Sequence, residues 1–448
     1  MDFSKTTRRS FLSLALAAPV AAGVAACGSS GPKSSESSSG SAASGTASMW
    51  SLSGKPQETV RQANVDAFNK ANPNSQIKLT LFANDDYKTK IKTALGAGQA
   101  PTIMWGWGGG GLKSWVDAGQ VEDLTSWFGE NAAVKDKIFP SAFGAATIDD
   151  KLYAIPTETV TPIVFYWNKE AFDKIGQAAP PQSWAEIMSL VPRFNAKNIA
   201  PFSLAGGSRW TNMMWLEFLF DRIGGSEVFD AIFAGEKDAW NNPAAIDALT
   251  KTQELVKAKG FQKGFSSTVA DQNADQALLY TGKAAMMVHG AWTYGSMKDQ
   301  GGKFVSGGNL GYMNFPPVEG GKGDPSDTVG NPGQYLSISS KATDAEKEVA
   351  KKFFTTQVNS AFEQKEWVGT GSVPVVKGSD SLFTGAKDAD WLKFIYDTSA
   401  NAKVFAQSWD QALSPAAAEV LLDNIAKLFQ LKVTPQQFAT NLNKVTNK

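Results

Sequence analysis

Residues 77–106 read IKLTLFANDDYKTKIKTALGAGQAPTIMWG. Ile77 to Phe82 alternates in the manner of a β-strand, Asp85 to Leu95 carries helical spacing, and Gly96 to Gln99 ends the helix. Thr102-Ile103-Met104-Trp105 is a further strand, followed by the glycine run Gly108 to Gly111. Upstream, Met49-Trp50-Ser51-Leu52 reads as a short strand. A helix over Pro56 to Ala71 follows, with Val60, Val65 and Phe68 as its apolar stripe, and Asn72-Pro73-Asn74 stops it. Strand and helix alternate as they do in an α/β fold built on a parallel sheet. Ligands of such sheets bind beyond the carboxyl ends of the strands. Those ends are Ser51 to Gly54, Asn84-Asp85 and Trp105-Gly106-Trp107.

The pattern continues downstream. Ile163-Val164-Phe165-Tyr166-Trp167 is a strand too apolar for exposure on either face, and Trp184 to Lys259 is mainly helical. Ala284 to Val288 reads as a buried strand capped by Gly290-Ala291-Trp292. Gly301 to Pro332 is a Gly- and Pro-rich loop, strand Tyr335 to Ser339 and helix Ala345 to Asn359 follow, and Asp388 to Lys448 is helical.

At the other end, Arg8-Arg9 precedes a short apolar stretch, Phe11 to Ala26, interrupted by Pro19 and Gly23. A spanning helix needs roughly 20 apolar residues, so residues 1–26 read as a secretory signal. Val24-Ala25-Ala26-Cys27 resembles the lipobox of bacterial lipoproteins, and the paired arginines resemble a twin-arginine export signal. The lipidation site is then Cys27, and the Ser/Gly-rich residues 27–47 form a flexible tether. The folded body is expected from Ser48.

Composition narrows the function. The chain has 43 basic and 43 acidic residues, so it lacks the charge excess of a nucleic-acid or anionic-membrane binder. A single cysteine excludes an intramolecular disulfide and a cysteine-based metal cluster. The one histidine, His289, has no ligand-spaced partner, so it reads as structural, and neither metal nor cofactor is expected. Gly106 to Gly111 is not a P-loop, because no Lys-Ser/Thr pair follows at the required spacing. The 14 tryptophans are unusual, and indoles suit flat apolar ligand faces.

Three stretches carry a resemblance to a known family. They are Gly98-Gln99-Ala100-Pro101-Thr102-Ile103, with Thr102 where the family usually has Asp; Lys151 to Pro156 followed by Tyr166 to Lys169; and Thr281 to Met286 ending in Gly290-Ala291-Trp292. In this order they resemble the extracellular solute-binding proteins of carbohydrate ABC importers, related to maltose-binding protein. The resemblance implies an α/β periplasmic-binding-protein fold of type II, with two lobes and a three-segment hinge. Its lobes would be residues 48–160 plus 332–370 and residues 161–331 plus 371–448. The hinge crossings would lie near Glu158 to Pro162, Gly330 to Leu336 and Val368 to Val375. A lipid-anchored monomer of this kind would capture an oligosaccharide and pass it to membrane permease subunits.

A sugar site pairs aromatic platforms with polar groups at hydrogen-bonding reach. Trp292, after its strand and Gly-Ala turn, is the first expected platform. Trp105, Trp107 and Trp210 follow by position, and Trp409 by similarity to the family's late aromatic. Asn84 and Asp85 end the second strand, where they could equally cap a helix. Glu158 and Gln334 lie on expected crossings. Two other classes fit parts of this pattern: a membrane-tethered glycoside hydrolase, and the same scaffold holding a non-sugar solute. Sensor modules also reuse such folds.

Overall fold

In the computed structural model of the protein, residues 45–446 are described. The expected signal segment, Cys27 and the tether as far as residue 44 lie outside them. The strands are β1 (Gly45–Leu52), β2 (Ser75–Phe82), β3 (Ile103–Gly106), β4 (Thr147–Ile148), β5 (Lys151–Leu152), β6 (Ile155–Thr157) and β7 (Thr159–Asn168). Then come β8 (Ala200–Ser203), β9 (Ala284–Gly290), β10 (Leu310–Met313), β11 (Thr328–Asn331), β12 (Gln334–Ile338), β13 (Val373–Pro374) and β14 (Phe405–Gln407). Strand β1 begins three residues before Ser48, because Gly45, Thr46 and Ala47 pair with Ser75, Gln76 and Ile77. Ala47 is fully buried, so these three residues belong to the sheet and not to the tether.

Two sheets organise the molecule. The first runs β2-β1-β3-β12-β6, and the second β14-β11-β7-β9-β8, with β10 and β13 also paired to β7. In the first sheet β1 is parallel to β2 and β3, but β12 is antiparallel to both its neighbours. The sheet is therefore mixed, not parallel throughout. The reason lies in the connection: β12 arrives directly from β11 of the other sheet, entering at the edge where the parallel strands end. Tyr335 at its start pairs with Gly106 at the end of β3.

Three chain passages join the lobes. Glu158, at a left-handed φ of 58°, separates β6 from β7. Pro332-Gly333 separates β11 from β12, and β13 lies along the start of β7 through Val373 opposite Val160. The Val375 amide donates to the Glu158 carbonyl, tying the first passage to the third. This is a two-lobe α/β fold with a three-segment hinge. One core gathers Phe68, Ile103, Trp105 and Phe353 around the first sheet. A second gathers Phe202, Trp215, Leu421 and Trp409 around the other.

Helices α1 (Gln57–Ala71), α2 (Asn84–Gly96) and α3 (Gly109–Asp117) follow β1, β2 and β3. Each therefore starts at the sheet edge facing the second lobe.

Candidate ligand-binding site

A cavity of about 230 Å³ lies between the lobes. From the first lobe its wall is the carboxyl edge of the sheet: Leu52 to Lys55 after β1, Ala83 and Asn84 after β2, and Trp105 and Trp107. The second lobe contributes Trp210, Gln276, His289, Trp292 and the turn Ser408, Asp410, Gln411, and the hinge contributes Glu158, Asn331 and Gln334.

Glu158 is the structural centre of this wall. Its Oε1 accepts from Arg61 Nε at 2.9 Å and from Trp105 Nε1 at 3.0 Å, and its Oε2 accepts from Arg61 Nη2 at 2.7 Å. Bidentate, charge-assisted bonds of this kind are strong and fix geometry. Arg61 also donates to the Leu52 carbonyl and lies over the rings of Trp105 and Trp367. Behind Trp367, Glu363 accepts from the Asn359 amide and from Trp367 Nε1. Burial pushes the Glu363 carboxyl up to about 7, with the nearby Glu158 charge adding to the effect. Gln334 Oε1 accepts from the Thr159 amide at 3.0 Å, so it braces the hinge while lining the cavity.

The aromatic groups form two sets. In the first lobe Trp105 and Trp107 meet edge to face at 4.6 Å, and Tyr87 donates its hydroxyl to the Trp105 carbonyl. In the second, Trp210 and Trp292 lie 6.1 Å apart with His289 edge-on to both. His289 Nδ1 accepts from the Gly290 amide, and its Nε2 faces Asp275 Oδ2 at 3.3 Å in poor alignment for a hydrogen bond. Among the described residues no His/Cys/Asp/Glu group is arranged to hold a metal. Trp210 Nε1, Gln276 Oε1 and Asn331 Oδ1 are buried polar atoms with no partner in the protein. Such atoms each cost about 1–3 kcal/mol when left unpaired.

Contacts span the cavity between lobes. Lys88 Nζ lies 3.3 Å from Asp410 Oδ2, 5.0 Å from the Trp107 ring and 6.0 Å from the Trp210 ring. Gln407 Nε2 donates to the Trp107 carbonyl at 2.8 Å, and Gln57 Nε2 to the Trp292 carbonyl at 3.0 Å. The glycine run at the start of α3 permits this approach. A Cβ on Gly110 would stand 2.1 Å from the Leu413 carbonyl oxygen, across the lobe boundary.

Of the expected site residues, Trp292, Trp105, Trp107, Trp210, Asn84, Glu158 and Gln334 line the cavity. Trp105 is only 1% exposed, so Trp107 presents more of its ring. Asp85 is not on the wall: it sits in the first turn of α2, where its carboxylate accepts from Asn84 Nδ2 and its amide donates to Asp271 Oδ2. Trp409 is not on the wall either. Its ring is 1% exposed, stacked on Phe229 at 5.1 Å and edge-on to Phe220 and Trp240. It opens a short helix, and its neighbours Ser408, Asp410 and Gln411 face the cavity instead.

Sequence reading passed over Arg61, Lys88, Asp271 and Gln276. Arg61 left one signal: it shares the α1 face with buried Val65 and Phe68, where a charge is out of place unless paired. Arg222 is buried too, paired with Asp221 and bonded to the Phe315 and Asp327 carbonyls.

The sequence profile of the bacterial extracellular solute-binding proteins matches residues 53–361. The chain belongs to this family. Its members bind solutes, and the protein is a solute receptor and not an enzyme. It is 26% identical over 321 residues to the multiple sugar-binding protein of Streptococcus mutans, covering 69% of this chain and 70% of that protein. A solved structure from work on xylan utilization by Caldanaerobius polysaccharolyticus is 30% identical. It covers 89% of this chain and 99% of its own, with a TM-score of 0.79. A chitin oligosaccharide binding protein is 26% identical over 90% of this chain and 98% of its own, with a TM-score of 0.80.

Proposed function

We propose that this receptor captures a disaccharide or short oligosaccharide between its lobes and delivers it, as a monomer, to the permease subunits of an ABC importer. The observation that carries the reading is that indoles from both lobes, Trp105 and Trp107 against Trp210 and Trp292, line one cavity together with Gln276 and Asn331, and that Trp210 Nε1, Gln276 Oε1 and Asn331 Oδ1 are buried with no partner in the protein. Sugars match this arrangement, because their C–H faces stack on indoles while their hydroxyls both donate and accept. Of the three cations on the wall, Arg61 and Lys88 are each paired with a carboxylate and Lys55 stands at its margin after β1, so the wall holds no cluster of free cations of the kind an anion would need. The cavity volume, about 230 Å³, falls below the range of roughly 300–1,000 Å³ usual for drug-sized ligands, and supports the short end of the length range. The sugar-binding names of the relatives agree with this reading.

On this proposal the working lobes are residues 45–160 plus 332–370 and 161–331 plus 371–446. A lipid on Cys27 holds the receptor at the outer face of the membrane. Among the described residues no helix is long and apolar enough to cross a membrane. Calorimetry against xylo-, malto-, cello- and chito-oligosaccharides tests the ligand class. One series is expected to bind, with the Trp292→Ala variant weakened at least tenfold and no shorter sugars released. If no sugar binds, the ligand class is wrong and the family stands.

A further inference from the structure

The turn Ser408 to Gln411 is both a cleft wall and a cross-lobe contact. Asp410 meets Lys88 of the first lobe, and the Gln411 and Leu413 carbonyls lie against Gly109 and Gly110. Yet the helix that carries it, Trp409–Ala412, is four residues long and has no side-chain cap of its own. A helix this short does not persist by its own hydrogen bonds, so it must be held from outside.

Glu217 supplies that hold. It lies on the helix Trp210–Gly224, whose first turn brings Trp210, Met213 and Met214 to the cavity. Its side chain is 1% exposed, and its Oε1 accepts the Trp409 amide at 2.7 Å. Its Oε2 is buried without a partner. Burial pushes this carboxyl up to about 8; the Trp409 amide opposes the shift and the Asp410 charge adds to it. Burial therefore favours the neutral acid, whose carbonyl oxygen still accepts the amide.

We propose that Glu217 is a positioning residue for ligand capture: by holding the Trp409 amide it fixes the cleft-wall groups Ser408, Asp410 and Gln411 and their contacts across the cleft. This inference rests on the cavity being the ligand site, and its test separates the two. Amide hydrogen exchange on the ligand-free protein needs no sugar. Glu217→Ala is expected to lose at least tenfold protection over residues 408–413, while Glu217→Gln, which keeps the acceptor, retains it. Unchanged protection in Glu217→Ala overturns the proposal.

The second arm is calorimetry with xylotriose, maltotriose and chitotriose. Whichever binds the wild type should bind Glu217→Ala at least tenfold more weakly and Glu217→Gln within about twofold. Equal affinity in Glu217→Ala also overturns the proposal. If none of the three binds the wild type, hydrogen exchange alone decides the role of Glu217, and the full oligosaccharide panel decides the ligand class. Should Glu217→Ala not fold, Glu217→Leu in the same two measurements replaces it.

Discussion

Arg61 grips both carboxylate oxygens of Glu158, 97 positions away in the chain, through Nε at 2.9 Å and Nη2 at 2.7 Å. Their side chains are 9% and 5% exposed. The pair joins the first helix to the hinge residue that separates the two sheets. It also carries the Trp105 indole on the same carboxylate.

Removing one partner leaves a buried, uncompensated charge. Breaking such a pair typically costs about 3–5 kcal/mol. Arg61→Met is expected to destabilise the fold by an amount of that order in urea unfolding, and Arg61→Lys by less. A loss under about 1 kcal/mol for Arg61→Met would show that the pair does not hold the hinge.

Trp409 and Trp292 should separate by readout. Trp409 fills the second core, and truncating a buried Trp costs about 3–5 kcal/mol. Trp409→Phe keeps most of that packing, and since the ring does not reach the cavity, it should leave sugar affinity within about threefold. Trp292→Phe should change affinity more than stability. Calorimetry and thermal melts on the two variants distinguish the roles.

Gly110→Ala places a methyl 2.1 Å from the Leu413 carbonyl oxygen, at a contact made only when the lobes meet. Each lobe should fold as before, while closure is obstructed. Sugar affinity is expected to fall at least tenfold with little change in the melting temperature. Full affinity in this variant would place the closed arrangement of the lobes in doubt.

Glu217 also sets a pH dependence of stability. Its folded pKa of about 8 exceeds the ordinary 4.5, so the folded state keeps a proton that the unfolded chain has released. Stability from this group is present below about 4.5 and is lost as pH rises to about 8, above which the loss is constant. Asp410 is the acidic group facing it from the neighbouring turn. Glu217→Gln removes this titration. Its melting temperature, relative to wild type, should rise between pH 5 and pH 8 and level off beyond; a parallel pair of pH profiles would contradict the assignment.

Replacing Cys27 with Ser is expected to release the protein from the membrane fraction and leave sugar affinity unchanged. Fractionation followed by calorimetry on the released form checks both halves.

Local pattern carried much of this protein. Period-two strands at 77–82, the α1 stripe of Val60, Val65 and Phe68, and the glycine stops are decided by neighbours a few residues apart, so the α/β alternation was readable. The carboxyl-edge rule likewise pointed to Asn84, Trp105 and Trp107, because strand direction follows from strand–helix order. The direction of β12 was not readable in that way, since it depends on a strand returning from the other lobe. Nor was the choice between Trp409 and its neighbours. A tryptophan beside a turn looks the same in sequence whether its ring enters the cleft or the core. The Glu217 acceptor and the Phe220, Phe229 and Trp240 cage decided it, from positions about 170–190 residues away that only folding brings together. The sequence by itself determined the strand–helix order and the edge at which a ligand would sit. Only the tertiary structure decided which charges pair across the hinge and which indoles face the cavity, because those are long-range contacts that local spacing does not encode.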